Sequence, residues 1–561
     1  MKRKAIVAWC TLLMLTVTAF SGCKKDDTAK PANSDSAAST AVSPENPITI
    51  TAFIGDSTTI TPTEDNKIFE KIKKELGITF KFDILAGDIN QKLGVMIAGN
   101  DLPDLVSYNA KFQEAGKLIP LEEKVQKSAP DIYNHYIKGN AWGMMKDSND
   151  GHTYYLPNFG IYYTEATGTY YSGPAFWIQK DVLKEAGYPK VTTLDQYFDL
   201  IENWTKKHPK TADGQDTIGF ETLATNGQSF VLENAPAQLS GHPNDGGVNV
   251  DNGVATTYAD KDIAKTYFKK LNDMYIKGIV DKEAVTQTQD QYLQKIASGR
   301  VVAMYDQHWD FQSAENTLIK DKKYGQTYAP LELVYPGVTP HYKDRPIPNL
   351  LNGFSVTTNC KNPDRVLAAL NLFANEKWQK ILNWGIEGED YSIDAASKQP
   401  VWTDEQKTNS SDNAWKAKNR ADALYGTIFK IEGKYSDGNA TALGDNPIQY
   451  QKGLSDYDRE FLKAYNANSF YDMMSPAPPN EIYYPCWNIN IPSNSPASIA
   501  GTALEEARMK WLPRIIVAKP GEFDSHWNSF VEDFNKANPK DYLDAVNEGI
   551  QYRIKNWTVK K

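Results

Sequence analysis

At 561 residues the chain has room for about three domains, or for one two-lobed architecture with a large core, at roughly 100–200 residues per domain. That excludes a small stapled scaffold. With 41% apolar and 23% charged residues it sits near the globular average, so neither a disordered chain nor a polytopic membrane protein fits. A formal net charge of −9, from 61 Lys and Arg against 70 Asp and Glu, argues against nucleic acid as a partner.

Taken in chain order, Lys2-Arg3-Lys4 precedes a mostly apolar run, Ala5–Phe20, of 16 residues, short of the roughly 20 needed to span a bilayer. This is the pattern of a secretion signal. The order Phe20-Ser21-Gly22-Cys23, followed by Lys24-Lys25-Asp26-Asp27, resembles a bacterial lipoprotein leader. On that reading residues 1–22 are removed and Cys23 becomes the lipidated, palmitate-bearing first residue, with a conventional secreted protein cut near the same place as the alternative. Losing Lys2, Arg3 and Lys4 takes the net charge from −9 to −12. Residues 23–46, a mixture of Ala, Ser, Thr, Pro and charges, cannot bury enough apolar surface to order themselves and read as a flexible tether. Of four cysteines, Cys360 and Cys486 are left to the body, and whether they meet in a disulfide is open at this level.

Regular patterning starts at Pro47. Ile48, Ile50, Ala52 and Ile54 alternate with Thr49, Thr51 and Phe53, which predicts a strand, and Ile68, Phe69, Ile72 and Leu76 at helical spacing predict a helix closed by Gly77. Ile78, Phe80, Phe82 and Ile84 predict a second strand. Asp88 is placed to cap a helix containing Leu93 and Met96, and Leu105-Val106 is a short buried strand. Downstream, Thr193 and Gln196 form a capping box ahead of Leu194, Tyr197, Leu200, Ile201 and Trp204. Asn252-Gly253 signals a hairpin, and Ile263 to Tyr275 a helix closed by Gly278. Arg300–Tyr305 is a buried strand, Phe354 and Val356 mark another, and Asn362 is expected to cap a helix with Pro363 in its first turn. Strands interleaved with helices give an α/β class.

Seven histidines are scattered without zinc spacing, and no nucleophile elbow, Walker loop or dinucleotide fingerprint is present. Aromatic supply stands out instead: 31 Tyr, 21 Phe and 13 Trp, clustered at Tyr154-Tyr155, Tyr162-Tyr163, Tyr170-Tyr171, Phe176-Trp177, His308-Trp309 and Tyr483-Tyr484. A ring with a polar tip suits a solute that is polar at its edges and apolar on its faces, as sugars are. Most of these rings are expected to be packing.

The segments KLGVMIAGNDLPDLVSY (92–108), GHTYYLP (151–157), FWIQKDVLKEAGYPKVTTLDQYFDLI (176–201), LNDMYIKGIVDKEAVTQTQDQYLQKIASGRVVAMYDQHW (271–309) and NWGIEGEDYSID (383–394) resemble the extracellular solute-binding proteins of ABC importers, family 1, and within it the large lipoprotein branch of Gram-positive type associated with oligosaccharide uptake. The resemblance implies a two-lobed periplasmic-binding-protein-like fold (type II), its lobes joined by hinge segments and closing on a solute without covalent chemistry. Residues 47–160 and 352–440 would form lobe 1, and 165–345 and 441–561 lobe 2. It also implies an ABC permease as partner, a carbohydrate ligand, a monomer anchored at the outer face of the cell membrane (periplasmic where the host has an outer membrane), and no cofactor. A calcium loop of some relatives would fall at 206–220, where only Asp213 and Asp216 remain, off the spacing needed for six or more oxygens; no bound metal is expected.

Candidate ligand residues are Trp177, in the segment passing the cleft; Asp306 and Trp309, after a strand whose C-terminal end faces the crevice; Trp384 and Tyr391 in NWGIEGEDY; and Tyr108 past Leu105-Val106. Two rival functions stay open: a surface glycoside hydrolase or lyase using the same rings beside an acid/base pair, and the same receptor fold for a peptide or another solute.

Overall fold

The computed structural model describes residues 40–138, 141–147, 149–158, 167–224, 229–243, 247–343, 353–426, 428–478, 486 and 489–557. The leader, Cys23, most of the tether and the Tyr162-Tyr163 and Tyr483-Tyr484 pairs lie outside the described residues. The strands that build the molecule are β1 (Ile48–Ile54), β2 (Ile78–Ile84), β3 (Leu105–Ser107), β4 (Leu156–Pro157), β5 (Pro174–Gln179), β6 (Ile218–Glu221), β7 (Val248–Asp251), β8 (Val254–Thr257), β9 (Val301–Gln307), β10 (Tyr328–Leu331) and β11 (Gly353–Val356).

β1 and β2 run parallel from Ile48↔Ile78 to Ile54↔Ile84. The helix between them, Lys67–Leu76, starts under the Asn66 side chain and stops at Gly77, φ +70°. A Cβ at Gly77 would sit 2.1 Å from the Ser43 carbonyl oxygen, so glycine is required there both for the left-handed turn and for the close approach of the chain's earlier segment. β3 joins β1 in parallel, and the Asp104 carboxylate ties the two by accepting from Thr51 N and Oγ1 at 2.9 and 2.7 Å. β11 then enters antiparallel between β3 and β4, giving the order β2-β1-β3-β11-β4. Alternate residues bury on opposite faces of this sheet: Ile50, Ala52 and Leu105 on one, Phe53 and Val106 on the other. Helices cover both faces, so its strands are apolar on both sides.

The second sheet has the order β10-β5-β9-β6, with β6 parallel to β9 and β5 antiparallel to both its neighbours. Its core gathers Phe176, Tyr197, Phe220, Tyr267 and Phe311 and reaches forward to Phe461, Leu512 and Phe530 of the C-terminal helices. The first sheet has its own core, which extends from Ile50 to Leu443. Two lobes result, each an α/β unit. Where the chain passes between them, Thr169 Oγ1 donates to Asp445 Oδ1 at 2.8 Å and Lys430 N to the Asn158 carbonyl at 3.0 Å. A separate small cluster, Val248, Ala255, Cys486, Val546 and Ile550, packs the β7–β8 hairpin against the last helix, Pro539–Asn556.

The capping box at Thr193 and Gln196 forms, Asp88 accepts from Gln91 N, and Asn252-Gly253 turns the hairpin with φ of +53° and +78°, as a type I′ turn requires. Asn362 corrects one expectation: it occupies the cap position ahead of Pro363, but its side chain makes no capping bond. Cys360 and Cys486 are both buried, in separate clusters. Among the described residues no helix is long and apolar enough to cross a membrane.

Candidate functional site

The short strands β3 and β4 flank β11 in the first sheet. β3 hands over Tyr108, and Tyr154-Tyr155 lead into β4; with only β11 between those strands, Tyr108 and Tyr155 meet as a stack, ring centroids 4.0 Å apart and planes 18° off parallel. A chain of polar side chains fixes the pair. Tyr108 Oη donates to Gln113 Oε1 at 3.1 Å, Gln113 Nε2 donates to Asp147 Oδ2 at 2.7 Å, and Asp147 Oδ1 accepts from Asn149 N at 2.7 Å. Tyr154 Oη is held by Asp150 Oδ2 at 2.7 Å.

The facing wall comes from the far end of the chain. Ile489, Asn490 and Ile491 lie beside Gly549, Tyr552 and Arg553 of the last helix, and Trp557 closes its end. Arg553 stacks on Trp557 with its guanidinium carbon 4.5 Å from the ring centroid. A Cβ at Gly549 would come within 2.6 Å of Ile489 Cγ2, so the absence of a side chain lets the 489–491 segment lie on the helix. Ser493 Oγ donates to Glu114 Oε1 at 3.1 Å, joining the two walls. Between them is a cavity of about 470 Å³, within the range of small-molecule sites.

Burial, helped by Asp147 and Glu114, pushes the Tyr108 phenol up to about 12, and burial raises Tyr155 further, with Arg553 opposing. Both phenols are therefore neutral near pH 7 and can donate as well as accept. Stacked rings, tyrosine hydroxyls, amides and a guanidinium suit a polyhydroxylated solute held by ring contacts and directional hydrogen bonds.

Of the six residues expected from the sequence, the structure places only Tyr108 on this cavity. Trp309 is surface-accessible, 53% exposed, in the first turn of the helix His308–Lys320 that follows β9; its ring lies 5.3 Å from that of Phe230 and its Nε1 donates to Gln307 Oε1 at 2.7 Å. The structure buries the other four. Trp177 is fully buried at the centre of the second sheet, with Nε1 donating to the Asp306 carbonyl at 2.8 Å and its ring edge-on to Phe311. Asp306 is equally buried and its oxygens are taken internally, by Tyr292 Oη and Gln307 N, both at 2.6 Å. Trp384 donates to the Thr441 carbonyl at 2.8 Å and packs edge-on against Tyr391, which is itself buried. Covering helices bury side chains that strand position alone would allow to face a cleft. Sequence reasoning missed Gln113, Asp147, Tyr552 and Arg553; the adjacent pair Tyr154-Tyr155 was the visible signal for this wall. In the 206–220 loop, Asp216 takes the Lys210 ammonium at 2.7 Å and Asp213 takes Gln215 Nε2 at 2.7 Å.

Beside Trp309, the Asp310 carboxyl is pushed up to about 6 by burial, with Gln289 Nε2 opposing at 2.7 Å. A raised carboxyl stabilises the fold below its ordinary value and loses that contribution as pH rises through about 6. Asp310→Asn is therefore expected to gain in melting temperature relative to the parent between pH 4 and pH 7. Parallel melting curves across that interval would contradict this.

Residues 67–382 match the family model described as bacterial extracellular solute-binding protein. Over 252 residues, 43% of this chain and 47% of the relative, the sequence is 24% identical to the fructooligosaccharide ABC transporter substrate-binding protein FusA of Streptococcus pneumoniae serotype 4; the chain thus spans about half the length of that relative. Among solved structures, FusA of S. pneumoniae in complex with kestose aligns with a TM-score of 0.65 at 18% identity, covering 91% of this chain and 100% of that one. An HMO-binding, ABC-transporter-associated solute-binding protein from Bifidobacterium longum infantis aligns with a TM-score of 0.65 at 16% identity, over 91% and 99% of the two chains.

Proposed function

Because this chain belongs to the bacterial extracellular solute-binding protein family, we propose that it is the receptor of an ABC importer, capturing an oligosaccharide between its lobes and passing it unaltered to a membrane permease. The observation that carries this reading is the stacked Tyr108–Tyr155 pair in a cavity of about 470 Å³ whose opposite wall comes from the last helix. The names of the relatives, a fructooligosaccharide-binding and an HMO-binding protein, support a carbohydrate over other solutes.

Contacts that a ligand makes to both walls exist together only in the closed form, so binding shifts the open–closed equilibrium toward it. The lobes are 47–160 with 352–440 and 165–345 with 441–561, a division supported by the two separate cores. Tyr108 and Trp309 are ligand contacts, one in each lobe. The receptor works as a monomer outside the cytoplasm, tethered through lipid on Cys23, a reading supported by the order Phe20-Ser21-Gly22-Cys23 and the polar stretch behind it.

A thermal-shift screen tests this with kestose, maltotriose, cellotriose, xylotriose and a mixture of short peptides. A ligand at 100 times its Kd stabilises by about 2.7 kcal/mol, so one of the sugars should raise the melting temperature by several degrees. A response to peptides alone removes the carbohydrate, and release of cleaved sugar at catalytic turnover removes the receptor.

A further inference from the structure

The last helix, Pro539–Asn556, carries three differently occupied stripes. Val546 and Ile550 pack into the small core with Val248 and Ala255. Gly549, Tyr552 and Arg553 line the cavity. Asn547, Gln551 and Ile554, at helical spacing i, i+4, i+7, meet the β7–β8 hairpin. There Asn547 Oδ1 accepts from Ala255 N at 2.7 Å and its Nδ2 donates to the Ala255 carbonyl at 3.3 Å. One turn on, Gln551 Nε2 donates to the Gly253 carbonyl at 2.9 Å. The Asn547 amide thus completes the open edge of β8 as one peptide group of a third strand would. It also fixes the rotation of the helix, because neighbouring residues on a helix point about 100° apart.

We infer that Asn547 is the positioning residue for ligand selection: by clipping the last helix to the β8 edge it aims Tyr552 at the hydroxyl pattern of the bound sugar. This rests on the carbohydrate-receptor reading above and adds a division of labour between the walls. The Tyr108–Tyr155 wall offers ring faces, which suit many sugars alike. The Tyr552 hydroxyl, a directional donor and acceptor, distinguishes hydroxyl configurations, because a sugar hydroxyl that it cannot pair in the cavity is left unmatched.

The test is calorimetric titration of the four trisaccharides named above into the full chain, its Asn547→Asp and Asn547→Ala variants, and two comparison variants. Tyr155→Leu alters the ring wall. Asn272→Ala removes a buried amide that holds the Ile516 and Ala518 carbonyls elsewhere in the second lobe. Both Asn547 variants should reduce the affinity ratio between the best and next-best sugar by tenfold or more. Tyr155→Leu should weaken both sugars and leave their ratio within about twofold, and Asn272→Ala should lower the melting temperature without changing the ratio. If the Asn547 variants keep the parental ratio, or Asn272→Ala reduces it as much as they do, the positioning role is overturned while the receptor stands. If the parent binds none of the four, the carbohydrate reading falls and this inference with it.

Discussion

Trp177→Ala is expected to destabilise the second lobe by about 3–5 kcal/mol, the range for truncating a large buried aromatic. The ring lies on the strand between β9 and β10, is fully buried, and packs against Phe311 and near Tyr171 and His308. Its loss opens a cavity in a sheet covered on both faces. It also leaves the Asp306 carbonyl without the Nε1 donor, and a buried unpaired acceptor adds to the cost. Urea unfolding followed by hydrogen exchange at residues 174–179 and 301–307 should show that region opening at markedly lower denaturant. A shift of less than about 1 kcal/mol would mean that the site collapses to fill the void.

Tyr155→Leu should act on binding. Leucine retains much of the apolar volume but removes the stacked face and the hydroxyl, each worth about 0.5–1.5 kcal/mol in general. Affinity for the best trisaccharide is expected to fall between about fivefold and a hundredfold, at 1.4 kcal/mol per factor of ten. An unchanged Kd by calorimetry would move the ligand away from the Tyr108–Tyr155 wall and toward Trp309.

Much of the fold was legible because its signals are local. Alternation in Ile48–Ile54 and Ile78–Ile84, glycine at 77, the Thr193–Gln196 box and Asn252-Gly253 each depend on residues within one turn or strand, and each formed. Asn362 shows the limit even there: position alone does not make a side chain turn inward to cap. The site was less legible because distant segments assemble it. Tyr108 meets Tyr155 through β11, which lies some two hundred residues further along the chain, and Arg553 arrives from the last helix. Trp177, Trp384 and Asp306 have the chemistry of ligand contacts, but helices packed over the sheets bury them. Nothing in the residues flanking them marks that covering.

The antiparallel seat of β11 beside β4 has a consequence for taking the molecule apart. The chain leaves the first sheet after Pro157 and returns at Gly353, and these two residues are direct cross-strand partners. No single scission can therefore release either half as a finished unit. A short hairpin turn spliced from Pro157 to Gly353, with the sequence ended soon after Leu443, would excise the whole intervening half and leave a self-contained five-stranded module.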